Sequence, residues 1–161
     1  MSHRLILCAA ACLAVAALPA CAREPAAGSE PLPTALTDWH DAARAECERG
    51  GGTFRDGDYW QSGDFNGDGR PDFLVTRAAF GCDGNDIFSG GTSGDTYEAL
   101  VSTATDYRLA EEAILAHDAK IAERNGRTVV LTPDDDDSTI EHQWAWDGSK
   151  LAITGKTGSR R

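Results

Sequence analysis

Between Gly63 and Phe73 the chain reads GDFNGDGRPDF, which places side-chain oxygens on Asp64, Asn66, Asp68 and Asp72, alternating at first and then spaced as a tight loop would need them. A hard divalent cation takes several oxygen ligands at about 2.3 to 2.6 Å, and a short peptide converges them only by bending sharply. Gly69 stands at the sixth loop position, where the bend calls for a backbone conformation other residues resist. Arg70, next in line, offers its backbone carbonyl and not its guanidinium. The expected ligand set for Ca²⁺ is therefore Asp64, Asn66, Asp68, the Arg70 carbonyl and Asp72, with water completing the shell. Mg²⁺ fits less well, since it dehydrates reluctantly and demands tighter octahedral geometry. Val75 stands where a helix-loop-helix sensor carries its bidentate Glu, so that architecture is not expected. The alternative is a turn of Asn, Asp and Gly with no ion, in which the inward carboxylates would repel one another.

The stretch from Gly63 to Val75, GDFNGDGRPDFLV, resembles the calcium loops of FG-GAP and VCBS repeats, and dockerins carry a similar arrangement. In FG-GAP proteins the loop recurs once per propeller blade. Here it occurs once, so the resemblance implies a calcium site without a propeller. A wider pattern runs from Cys47-Glu48-Arg49-Gly50-Gly51 to Phe80-Gly81-Cys82-Asp83-Gly84. It is similar to small exported proteobacterial proteins with a Cys, a glycine pair, a DxNGDGxxD loop and a second Cys. That likeness supports a bridge between Cys47 and Cys82 and implies no activity.

The compartment follows from the start of the chain. Leu5 to Ala20 is an uncharged apolar run after Arg4, the layout of a secretory signal, and Pro19 interrupts it too early for a membrane span. Leu18-Pro19-Ala20-Cys21 resembles the bacterial lipobox, with Pro19 a departure from its pattern. Lipidation of Cys21 would anchor the chain stably through several acyl chains, each buried methylene contributing roughly 0.8 kcal/mol. Ala22 in the next position resembles lipoproteins sent to the outer membrane. A cut after Ala22 would instead leave a soluble periplasmic protein. With Cys8 and Cys12 in the signal and Cys21 at its end, Cys47 and Cys82 remain, and two thiols in an oxidising compartment suggest one disulfide. Closing the loop between them stabilises by roughly 3 to 4 kcal/mol in the chain-entropy picture. A metal pair or a reactive thiol is the other reading, but neither Cys has a neighbouring His. The formal charge of −11 repels nucleic acid and anionic lipid and attracts cations.

These features need a scaffold. Residues 21–35, rich in Pro and Ala, read as a tether, and a single domain is expected over 36–161. Leu36, Trp39, Ala43 and Cys47 recur at helical spacing, with Thr34 or Thr37 as cap and Gly50-Gly51-Gly52 as stop. Short apolar runs then alternate with turn residues, which predicts an α+β fold, one N-terminal amphipathic helix followed by a mainly antiparallel meander. Asp58 to Trp60 and Asp72 to Arg77 flank the loop as strands, Gly81 to Gly94 reads as a Gly-rich loop, and Tyr97 to Thr103 resumes as a strand. Tyr107 to Glu123 has helical propensity but lies between strands, and strands are the reading preferred here. Asn125-Gly126 is a hairpin signal, and Asp147-Gly148 marks a second turn. Trp144 and Trp146 share one strand face, where they cap a core more readily than they bind sugar.

Other chemistry is not legible. His40, His117 and His142 lie far apart and outside any HExxH, and Ser89 and Ser93 lie outside GxSxG. Asp134 to Asp137 reads as a solvated turn. The expectation is a calcium-binding envelope lipoprotein acting as a non-enzymatic structural or binding module, with an envelope protein as possible partner. A periplasmic inhibitor presenting Gly81 to Gly94, or a hydrolase built from scattered His and Asp, are the alternatives.

Overall fold

A computed structural model of the chain describes residues 31–88 and 91–158. The expected signal, Cys21 and most of the tether lie outside the described residues. A compact unit begins at Leu32. Helix α1 (Thr34–Arg49) buries Leu36, Trp39, Ala43 and Cys47, the stripe that its 3.6-residue period prescribes. The cap differs from expectation. Pro33 is the N-cap, no side chain caps the helix, and the Thr37 hydroxyl donates back to the Thr34 carbonyl at 2.9 Å. The Pro33 carbonyl accepts from both Leu36 and Thr37, so a backbone oxygen set by proline takes the place of a hydroxyl cap.

Among the described residues eleven strands follow: β1 (Thr53–Arg55), β2 (Trp60–Gly63), β3 (Asp72–Thr76), β4 (Gly81–Asp83), β5 (Asp95–Ser102), β6 (Tyr107–Leu109), β7 (Ile114–Ala116), β8 (Lys120–Arg124), β9 (Arg127–Pro133), β10 (Glu141–Trp146) and β11 (Leu151–Thr157). All their pairings are antiparallel. β8 to β11 form a meander, order β11-β10-β9-β8, and a second sheet runs β2-β3-β5-β6 with β7 also on β5. β1 and β4 make a separate ribbon.

Alternation along the strands sorts side chains between two cores. From β3, Phe73 and Val75 face α1 and join Leu36, Trp39, Phe80, Phe88 and Leu100. Leu74 points the other way and joins Tyr97, Ala99, Val101, Ile114, Val130 and Leu151, which lie between the two larger sheets. Fully burying a side chain such as Leu36 stabilises by about 1.5 to 3 kcal/mol. Gln61 ties the sheets directly, donating to the Ala119 carbonyl at 2.8 Å and accepting from the Ile121 N–H at 3.1 Å. Trp144 and Trp146 pack half-buried against the inter-sheet core.

The segment of mixed signals, 107–123, contains β6, β7 and the start of β8 and no helix. At Asn125-Gly126 both residues take positive φ (53° and 72°) and Arg124 faces Arg127, the two-residue turn whose twist suits a hairpin. The turn at Asp147-Gly148 is longer than its dipeptide suggests: Trp146 faces Leu151, and Asp147 Oδ1 accepts the N–H groups of Ser149 and Lys150. Gly81 to Gly94 is not one loop. β4 opens it, Phe88 is buried against the helix core, Gly91–Ser93 forms a 3-10 turn and β5 already starts at Asp95. Pairing of β4 with β1 and the apolar pull on Phe88 explain the difference; Ser89 and Gly90 lie outside the described residues. Cys47 and Cys82 are bonded, their Cα atoms 5.7 Å apart. The bridge joins the end of α1 to β4.

Candidate metal loop

The loop is the connection of a hairpin. Gly63 at the end of β2 pairs with Asp72 at the start of β3, so the residues between them are closed into a ring by the sheet ladder. Phe65 drops into the inter-sheet core at 5 % exposure and pins the loop at one point. Gly67 and Gly69 take φ of 77° and 82°, which turns the backbone N–H groups inward. Asp64 collects them: its Oδ1 accepts from Gly67 (2.7 Å) and Asp68 (3.1 Å), and its Oδ2 from Gly69 (2.8 Å).

Asn66 and Asp68 lean on each other. Asn66 Oδ1 accepts the Asp68 N–H at 2.9 Å, and Asn66 Nδ2 lies 3.2 Å from Asp68 Oδ2. The Arg70 N–H, the Ser102 hydroxyl and the Asn66 amide hold the Asp68 carboxyl below the ordinary carboxylate range, with the Arg70 charge adding to the effect. The Arg70 guanidinium leaves the loop, donating to the Thr103 carbonyl and lying 5.5 Å from the Tyr107 ring centre. Its hydrogen bond thereby draws the guanidinium toward the end of β5 and away from the Asp64 oxygens.

Asp72 has a second task. It is fully buried, Oδ2 accepts from Phe65 (2.7 Å) and Asn66 (3.2 Å), and Oδ1 accepts from Ser102 (2.7 Å). A carboxylate offers about four lone-pair positions, so three backbone N–H groups leave roughly one. Ser102, at the end of β5, is the residue the sequence reading missed. Its hydroxyl donates to Asp68 Oδ2 at 2.8 Å, its N–H serves Asp72, and its carbonyl accepts from Asn66 Nδ2 at 3.0 Å. A serine closing an apolar strand was the available signal, and the structure leaves it only 4 % exposed.

The donor set suits a hard cation: three carboxylates and an amide oxygen within one small loop, no thiol, no imidazole. Among the described residues, no three His, Cys, Asp or Glu side chains already converge as a metal centre. Asp64 spends its oxygens on loop N–H groups and Asp68 on the Arg70 N–H, the Ser102 hydroxyl and the Asn66 amide, so binding would turn lone pairs from these donors to the ion.

The histidines are held elsewhere. His142 Nε2 lies 3.0 Å from Asp134 Oδ2, an oxygen shared with Lys156 Nζ at 2.8 Å, while His142 Nδ1 is buried without a partner. Asp134 is thus a structural hub in the acidic run, whereas Asp135 and Asp136 are exposed. His40 bonds to Asp56 at 2.7 Å within a group of aromatic rings, and His117 is exposed. In comparisons with known proteins, no family model matches the chain, and no curated protein or solved structure matches it.

Proposed function

We propose that this chain is a calcium-stabilised, non-enzymatic binding or structural module of the bacterial envelope, held to a membrane through lipidated Cys21. The observation that carries the reading is the hairpin loop itself, in which Asp64, Asn66 and Asp68 are gathered at the surface while the Arg70 guanidinium is drawn away to Thr103. Ca²⁺ would be held by Asp64, Asn66, Asp68, the Arg70 carbonyl and the remaining lone pair of Asp72, with water. The ion supplies charge neutralisation at the point where the two sheets meet. The disulfide fits an oxidising compartment.

A catalytic role for His142 is disfavoured, because one ring nitrogen is committed to Asp134 and the other is buried, which leaves neither open to a substrate. The inhibitor reading loses its motive as well, since Phe88 of the loop it would present is turned into the core.

Thermal unfolding in calcium and in chelator tests the proposal. A ligand at 100 times its dissociation constant adds about 2.7 kcal/mol, so Tm should rise measurably at millimolar calcium. An unchanged Tm would sink the metal claim. Metabolic labelling with a palmitate analogue tests the anchor: wild-type chain should take up label and Cys21→Ser should not.

A further inference from the structure

We propose that the cleft beside the metal loop is the module's ligand site, and that it takes an uncharged, hydroxyl-rich ligand of one or two sugar rings. This names the ligand class for the binding module proposed above and rests on that reading, but not on the ion. Three chain tips meet at one end of the paired sheets: the loop with Asp64, the β8–β9 turn with Glu123 and Arg127, and the β10–β11 turn with Trp146 and Asp147. They border an open cleft of about 530 Å³. That falls within the range of small-molecule sites, roughly 300 to 1,000 Å³.

The walls alternate acceptors and donors. Glu123 spends Oε1 on the Thr128 hydroxyl at 2.7 Å, and Asp147 spends Oδ1 on the N–H groups of Ser149 and Lys150. Each keeps its second oxygen free of any partner among the described residues. Arg127 reaches the Trp146 carbonyl at a long 3.4 Å and keeps further N–H groups to give. Arg108 lies 5.2 Å from the Trp146 ring centre and holds the indole in place. Trp144 donates its indole N–H to Thr132, whereas no acceptor among the described residues meets that of Trp146.

Ligand charge decides the class. The free oxygens of Glu123 and Asp147 stand against the Arg127 and Arg108 guanidinia, so the charges nearly balance and an anion would have to sit beside a carboxylate. A cation would have to sit beside Arg127. An apolar ligand would leave the carboxylates desolvated and unpaired. A sugar hydroxyl both donates and accepts, so a neutral sugar can pair with the free Glu123 and Asp147 oxygens, the Arg127 N–H groups and the Trp146 indole N–H.

The test uses ¹⁵N-labelled mature chain titrated with maltotetraose, cellotetraose and chitotetraose up to about 10 mM, a range that reaches weak millimolar sites. At least one should give saturable shifts confined to the Trp146 indole, Gly67, Gly126 and Gly148. The exposed pair Glu123→Gln and Asp147→Asn, made together, should weaken that binding by about tenfold or more, while the ¹⁵N spectrum away from the two turns stays that of the folded chain. No shift with any of the three, or shifts there with spermidine alone, overturns the proposal. Loss of the sugar shifts together with a calcium-raised Tm removes the cleft and leaves the metal loop standing. Sugar shifts without a calcium effect do the reverse.

Discussion

Ser102 and Asp68 meet across the fold, the hydroxyl of one donating to a carboxylate oxygen of the other at 2.8 Å, although one ends β5 and the other sits mid-loop between β2 and β3. The antiparallel register of β3 with β5 brings them together, pairing Phe73 with Leu100 and carrying Ser102 past the end of the ladder toward the loop. Through its N–H, hydroxyl and carbonyl, Ser102 touches Asp72, Asp68 and Asn66. The loop is shaped by the sheet behind it as well as by its own glycines.

Replacing Ser102 with Ala removes the hydroxyl's bond to the charged Asp68 and a weaker one from the Asn66 amide, and leaves the two backbone contacts. A loss of stability in chelator is expected, measured by urea unfolding, smaller than a buried bond of this kind would give because Asp68 is exposed. Calcium should recover part of it, because the ion would take over the Asp68 oxygen that lost its donor. Equal stability of wild type and variant in chelator would show that the hydroxyl contact contributes nothing.

Asp72→Asn keeps the shape but replaces one oxygen acceptor with an NH₂ group. Asp72 is fully buried and both its oxygens face backbone N–H groups, so whichever way the amide turns, a donor meets a donor. A loss of about 3 kcal/mol or more is expected, since weakened charged bonds add to an unsatisfied buried donor. Asp64→Asn is more exposed and should cost less stability in chelator while abolishing the calcium response. If the two variants lost equal stability in chelator, the structural role assigned to Asp72 would be wrong.

How far sequence carried the reading depended on whether the signal was local. The stripe on α1 and the Asn125-Gly126 turn were legible, because helical period and paired positive φ are set within a few residues. The segment 107–123 was ambiguous because Glu, Ala and Leu favour helix, and only burial of Ile114, Ala116 and Ala119 in the core between the two larger sheets selects strand. Phe88 had no periodic neighbours to mark it as core. Of the loop, Asp64, Asn66 and Asp68 were readable from spacing, but the backbone duty of Asp72 and the presence of Ser102 depend on a strand pairing that spacing does not encode.

Opening the Cys47–Cys82 bond should matter more than its burial suggests. The bond closes a separation of 35 residues that contains the ribbon strand β1 and the whole β2–β3 hairpin. The chain-entropy estimate for such a loop is roughly 3 to 4 kcal/mol. Cys47→Ala with Cys82→Ala should lower Tm and sharpen its dependence on calcium, since the two constraints restrain the same stretch. Additive effects of reduction and chelation would argue that the constraints act independently.

Asp134 gives the fold an acid-sensitive point. The Lys156 ammonium is the main cause holding its carboxyl at about 2 in the folded chain, with the Asp136 N–H and His142 adding to the effect. The unfolded value is the ordinary 3.8, so below it the unfolded state takes up the proton first. The stabilisation is therefore complete above the unfolded value and is lost as pH falls toward and through about 2. Asp134→Asn should be less stable than wild type near neutrality, and the gap should close on acidification through that window. Thermal melts of both proteins at about pH 6 and in steps down to about pH 2 read the difference directly, with other carboxylates cancelling between them. A gap that stays constant across the series would mean that Asp134 acts by shape and not by charge.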